Sequence, residues 1–335
     1  MTPQVFSTPI TKLFGIRHPL ICGGMMWLAN ANYVGAVVNS GGMGFITPRS
    51  FPTPEDFRDE LKRCWRITDG KPFGVNLYVA ARPEANTALT TFLDIAIMEK
   101  VRFVETAGYS PREYLPRIKD AGIKVIHKCT TLRHALSAER AGVDAVTILG
   151  AEAGGHPGAQ HVGTMVQGAQ APDELTIPVV LAGGMGTGRQ PVAALALSTD
   201  GMLLATRMIV ASEVWSHDDY KRRIIEMGPA DTRIIMSIFG DNSRVIDNPN
   251  SARVAELERD GIDDYEAYRP LVEGMLQRKV YETGNWLRGT MSAGQACSFA
   301  NSIEPVEEIV DRIISDAVRA RDRITGLGVA GPTDP

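Results

Sequence analysis

Short, continuous apolar runs recur along the chain, each followed by a stretch of helical spacing. The runs are Leu20–Gly23, Gly44–Thr47, Phe73–Leu77, Val101–Thr106, Ile123–His127, Ala145–Leu149, Val179–Ala182 and Met202–Ala205. They do not alternate apolar with polar residues, which marks parallel strands buried on both faces. Their separation of roughly 20–35 residues suits βα units. The helical stretches have matching end signals. Asn30 and Gly41-Gly42 bracket a helix over Tyr33–Asn39, and Thr53-Pro54-Glu55 supplies a cap, a proline at the first helical position and an acid in the first turn. Thr130 is placed to cap Leu132–Arg140, which Gly142 ends. Eight such units in sequence predict an α/β fold, a (β/α)8 TIM barrel. The rival is a doubly wound open sheet. It would need a Gly-x-Gly-x-x-Gly turn opening a helix, and no strand has one.

After Arg207 the rhythm stops. Residues 211–295 carry helical stretches (Asp218–Glu226, Ala252–Arg259, Tyr268–Val280) and turn-rich links such as Gly240-Asp241-Asn242, with no visible strand rhythm. They are expected to form a smaller, mostly helical added domain after strand eight. Residues 1–210 plus 296–335 then form the barrel. Val306, Ile309, Val310, Ile313, Ile314 and Val318 share one face of a last helix, Val306–Ile324, which should return to the barrel wall. A homodimer contact is the other use open to such a face. The tail 326–335 reads as frayed.

Composition narrows the function classes. Of 335 residues, 44% are apolar and 22% charged, with a net charge of −4, which fits a globular protein with a large core. No basic block suits nucleic acid or an anionic membrane. No apolar run is long enough to span a bilayer. Met1-Thr2-Pro3-Gln4 lacks the charged and apolar regions of a secretory leader. Cys22, Cys64, Cys129 and Cys297 lie far apart, without the spacing of a metal site or disulfide framework. A cytoplasmic protein with reduced thiols, no metal and a small-molecule substrate is expected.

In a barrel of this kind the chemistry sits where the strands end. Strand six runs into Leu149-Gly150-Ala151-Glu152-Ala153-Gly154-Gly155-His156-Pro157-Gly158, four glycines and one histidine. Glycines allow close backbone approach, and a histidine there can transfer protons near neutral pH. Strand seven ends at Gly183-Gly184 and strand eight at Ala205-Thr206, together a candidate phosphate cradle. Asn76, ending strand three, offers donors and an acceptor to a heteroaromatic edge. A core amide is the alternative reading. Lys128, ending strand five, puts a cation at the mouth, to stabilise negative charge or form a Schiff base. A surface lysine is the plainer reading. Met25, Met26 and Trp27 suit either a cofactor wall or packing on the added domain. Glu152 is either a tuner of His156 or a solvated acid, and His127, facing away from Lys128, reads as structural.

Taken in order, these segments resemble the nitronate monooxygenase family, formerly called 2-nitropropane dioxygenases. The matching pieces are Gly23-Gly24-Met25, Phe73-Gly74-Val75-Asn76-Leu77 and Glu152-Ala153-Gly154-Gly155-His156. Ala182-Gly183-Gly184, Ala205-Thr206-Arg207 and Ser292-Ala293-Gly294-Gln295 match as well. The resemblance implies FMN as cofactor, with the flavin against Gly23, Gly24, Met25, Asn76 and Lys128. It implies the phosphate on Gly183, Gly184, Ala205 and Thr206, and His156 over the reactive face as the catalytic histidine. Gly155 is a further cofactor-binding candidate. Two subgroups pull apart. The His156 loop looks like nitronate oxidisers. Glu105-Thr106-Ala107-Gly108, Ile126-His127-Lys128-Cys129-Thr130 and His156-Pro157-Gly158 look like NADH:quinone reductases, which would use NAD(P)H as co-substrate. Leu149 stands where the family usually has a polar residue. Oxidation of alkyl nitronates to carbonyl compounds and nitrite is therefore the leading expectation, with NAD(P)H:quinone reduction as the alternative. A flavin-dependent enoyl-thioester reductase, a Schiff-base lyase using Lys128 and a pure binding protein are more distant.

Overall fold

The computed structural model describes residues 3–327. Eight strands close into one parallel barrel: β1 (Leu20–Cys22), β2 (Met43–Ile46), β3 (Gly74–Val79), β4 (Phe103–Gly108), β5 (Lys124–Cys129), β6 (Ala145–Leu149), β7 (Val179–Ala182) and β8 (Gly201–Leu204). Each pairs with the next, and β8 pairs with β1. Helix α1 (Pro9–Phe14) precedes the barrel. Helices α2 (Ala31–Asn39), α3 (Pro54–Ile67), α4 (Thr87–Met98), α5 (Leu115–Asp120), α6 (Leu132–Ala141), α7 (Thr164–Glu174) and α8 (Arg189–Ala196) alternate with the strands. The predicted (β/α)8 barrel is thus the observed fold.

Strand periodicity divides the side chains between two cores. Ile21, Met43, Phe45, Phe103, Ile126, Ala145, Val180, Ala182 and Leu203 fill the barrel with Ile10 and Phe14 of α1. Phe14 lies edge-on to Phe45 and Phe103, so α1 seals the end where the strands begin. Alternate positions face the helices and build the larger outer core, including Leu20, Cys22, Val75, Val104, Val125 and Val146. Two residues beyond the inner apolar layer stand Gly23, Thr47, Asn76, Glu105, Lys128, Thr147 and Ala205. By the same period they line the barrel where the strands end.

Asn30 and Thr53 cap α2 and α3 as expected. Other local expectations shift, and strands three and five run on to Val79 and Cys129, so Asn76 and Lys128 lie within them rather than ending them. Thr131, not Thr130, caps α6, its side chain accepting from the His134 amide. Strand four runs Phe103–Gly108 rather than Val101–Thr106, so Glu105 is its third residue instead of standing one from its end. Val318 is half-buried, and Ala317 takes the covered place on the last helix.

Beyond β8 come α9 (Asp218–Glu226), β9 (Thr232–Ile235), β10 (Ser243–Ile246), α10 (Pro249–Arg259), α11 (Tyr265–Val272), α12 (Gly274–Thr283) and α13 (Val306–Thr325). The region is mostly helical, but β9 and β10 form an antiparallel hairpin that the sequence reading lacked. The stretch read as one helix over Tyr268–Val280 is two, broken at Glu273. Helix α13 lays its apolar face on the barrel wall beside α8 and α2, so that face is already covered within the chain. Of the tail, residues 328–335 lie outside the described residues. Among the described residues no helix is long and apolar enough to cross a membrane.

Two buried histidines set the acid limit. His18 is fully buried with neither ring nitrogen bonded. His127 faces the outer core, and its Nδ1 lies 2.8 Å from the Thr106 hydroxyl. Burial pushes both down to about 4, aided by Arg17 at His18 and by His134 and Lys128 at His127. The unfolded chain takes up these protons near pH 6.5 and the folded chain does not. Their contribution is therefore complete above that pH and is lost as the pH falls through about 4. By pH 5 each histidine should cost on the order of 2 kcal/mol. Urea unfolding at pH 7 and pH 5 should show this fall, and His127→Asn should remove about half of it; equal stabilities at the two pH values would contradict it.

Candidate functional site

The inward residues at the strand ends form a polar ring around Glu105. Its carboxylate is fully buried, and one oxygen, Oε2, collects three donors. These are the Gly24 amide at 2.9 Å, Asn76 Nδ2 at 2.6 Å and Lys128 Nζ at 3.1 Å. Register explains the convergence, because Asn76 pairs with Glu105 across β3 and β4, and Lys128 stands two residues beyond Ile126, the partner of Glu105 across β4 and β5. Among the described residues three buried oxygens of this ring have no partner: Glu105 Oε1, Thr47 Oγ1 and Thr147 Oγ1. Buried polar atoms are normally satisfied, so three orphans in one ring point to a missing polar partner. Lys128 is 15% exposed, not a surface lysine. Its Nζ is held by the Glu105 carboxylate rather than free to attack a carbonyl, as Schiff-base formation needs.

Gly23-Gly24 approaches protein as well as solvent. A Cβ at Gly24 would stand 2.4 Å from Asn76 Cβ and 3.0 Å from Thr47 Oγ1. Gly24→Ala should displace Asn76 and lower stability by about 1–3 kcal/mol; a chemical-denaturation midpoint equal to that of the parent would contradict this. Met25, beside it, is half-buried against the outer core. Trp27 holds a left-handed backbone (φ 68°). Its amide donates to Ser50 Oγ at 2.7 Å and its carbonyl accepts from Trp215 Nε1 at 2.6 Å. Packing on the added region is therefore the role the contacts show for it.

The loop after β6 is stitched to the hairpin. Gly155 and Arg244 exchange two backbone hydrogen bonds, and the Arg244 guanidinium donates twice to the Ala151 carbonyl. Asn242 Nδ2 lies 2.8 Å from His161 Nε2, and Asp241 Oδ1 lies 3.6 Å from His156 Nε2. The His156 side chain is 57% exposed, so this pair orients the ring more than it binds it. Glu152 takes neither expected role. Its carboxylate accepts from the amide and hydroxyl of Thr164, at the start of α7, where a negative charge favours the helix dipole. Gly154 meets Gly294 so closely that a Cβ on it would lie 2.5 Å from the Gly294 amide. Gly294 in turn donates to Thr206 Oγ1 at 2.9 Å, and Gln295 donates to the Glu152 carbonyl at 3.0 Å. The segment around Gly294 thus ties the strand-six loop to the end of β8.

Gly183 and Gly184 both have positive φ (99° and 69°), and Gln190 of α8 braces their loop. It accepts from the amides of Gly186 and Thr187 and donates to the Gly184 carbonyl. Ala205 follows β8 at the barrel interior, where Leu149 also packs. Gly23, Gly24, Asn76, Lys128 and Ala205 therefore share the barrel's end, with His156 and Gly155 on the loop above β6. Glu105, Thr47 and Thr147 were not singled out from sequence. A lone carboxylate inside an apolar strand was the available signal for Glu105.

The model of the family described as nitronate monooxygenase matches residues 7–316. The chain belongs to the nitronate monooxygenase family. Among curated relatives of this family member, (3aS,4S,5R,7aS)-5-hydroxy-7a-methyl-1-oxo-octahydro-1H-indene-4-carboxyl-CoA dehydrogenase of Rhodococcus jostii is 28% identical, covering 97% of this chain and 99% of its own. A probable nitronate monooxygenase of Staphylococcus saprophyticus is also 28% identical, covering 83% and 89%. Among solved structures, FabK from Thermotoga maritima aligns with a TM-score of 0.88 at 30% identity, covering 96% and 99%. This member of the family is an oxidoreductase.

Proposed function

We propose that the chain is an FMN-dependent oxidoreductase that oxidises alkyl nitronates with O2 to carbonyl compounds and nitrite. The observation that carries this reading is the buried ring of Asn76, Glu105 and Lys128 with its three unpartnered oxygens. A flat heteroaromatic ring bearing both N–H and C=O groups is the kind of partner such a ring lacks. Gly23, Gly24, Met25, Asn76, Lys128 and Gly155 would hold the flavin, and Gly183, Gly184, Ala205 and Thr206 its phosphate. When bound, the flavin supplies the electron-transfer chemistry that no side chain here can.

The chain's own residues do the rest. Lys128 contributes positive charge at the mouth, and its ion pair with Glu105 keeps it in place. His156 sits on a glycine-flexed loop braced by the hairpin, within reach of solvent and substrate. As a base it removes the α-proton of a neutral nitroalkane. As an imidazolium it stabilises the nitro oxygens. Leu149 and Ala205 both pack on the inner core at this end, and their apolar side chains would suit an alkyl group.

A second substrate class, a carboxyl-CoA thioester, is favoured by the dehydrogenase relative, which aligns over 97% of this chain. Such a thioester is also a carbon acid, so His156 would keep its proton-transfer role. Anaerobic mixing of the holoenzyme separates the readings. Rapid bleaching of the flavin by propyl-2-nitronate alone is the expected result. Bleaching only by an acyl-CoA, or only by NADH or NADPH, would replace nitronate by that donor.

A further inference from the structure

Glu105 is the most buried charged group of the mouth, and its two oxygens are used unequally. Oε2 takes three donors, whereas Oε1 takes none and is shielded from water. Oε2 is thus the one acceptor shared by the turn after β1, by β3 and by β5, and the three donors depend on it for their relative placement.

We infer that Glu105 is the positioning carboxylate of this site: Oε2 fixes Gly24, Asn76 and Lys128 in the places from which they would hold the flavin. This rests on the FMN reading above. It also assigns Glu105 an electrostatic task. Its negative charge offsets Lys128 beside the flavin, so the net charge around the ring is set by the pair rather than by the lysine. In a buried setting such a balance is felt strongly.

The test uses purified holoenzyme and two readouts besides turnover, flavin content and midpoint potential. Glu105→Gln keeps the shape and removes the charge. It leaves Lys128 uncompensated, which favours the more negatively charged reduced flavin. The potential should move positive by at least tenfold in the reduction equilibrium, about 30 mV for a two-electron couple. Lys128→Met, with Glu105 left uncompensated, should move it negative, and the double variant should return towards the parent. Glu105→Ala should lose most of its flavin. A Glu105→Gln holoenzyme with parental flavin content and unchanged potential overturns the inference. If Glu105→Gln does not fold, an unmoved potential in Lys128→Met does the same. A parent protein that takes up no flavin overturns the FMN reading and this inference together, whereas a yellow parent with insensitive variants overturns this inference alone.

Discussion

Under the proposed function, replacing His156 with asparagine lowers turnover by about 10²–10³-fold and leaves the flavin in place. The separation follows from geometry. His156 belongs to the loop above β6, and among the described residues its ionic neighbour is Asp241 on the hairpin side, whereas Asn76, Glu105 and Lys128 bind one another. Asparagine keeps a polar group of similar reach but cannot exchange a proton near neutral pH. The loss should fall on both the nitroalkane and the nitronate if electrostatic stabilisation dominates. It should fall mainly on the nitroalkane if proton removal dominates. Steady-state rates with the two forms, alongside the flavin absorbance of the variant, check this. Full activity on both forms would remove His156 from the chemistry.

Glu304→Ala should cost about 3–5 kcal/mol of stability, the largest loss expected from a single side chain here. Glu304 is buried between Arg207, which follows β8, and Arg312 of α13. Arg207 Nη2 donates to Glu304 Oε1 at 2.6 Å, and Arg312 binds both carboxylate oxygens. Burial by itself would raise the acid's pKa, but the hydrogen bonds and charges of the two arginines outweigh it and hold it below the usual range. Arg207 is only 3% exposed and would keep its charge without a partner. Because the folded pKa is depressed, the same contribution is present above the ordinary carboxylate range and is lost as acid protonates Glu304. The variant should therefore be less stable at pH 7 and should also lose part of the parent's response to acid below pH 4.5. Guanidinium unfolding across that range measures both.

The barrel was legible because its signal is repeated. Eight apolar runs at βα spacing agree with one another, and caps such as Asn30 and Thr53 mark the helices between them. The hairpin was not legible because its strands are four residues each and only half covered, too short to show a period. The glycines were legible as close approaches but not as approaches to what. Gly24 meets Asn76, and Gly154 meets Gly294, contacts that only the folded chain creates. Glu105 shows the same limit more sharply. Its identity as a charge in an apolar strand was visible, but its meaning depends on donors from β1, β3 and β5 converging on one oxygen. Glu152 shows the converse, since its position beside His156 in sequence suggested tuning while its carboxylate is held by Thr164.

Under the proposed function the end of this barrel holds one flavin. Titrating flavin-free protein with FMN, followed by quenching of flavin fluorescence, tests it most directly. Saturation at one FMN per chain is expected, with a marked loss of that binding in Glu105→Ala. A chain that folds normally and binds no FMN would contradict it.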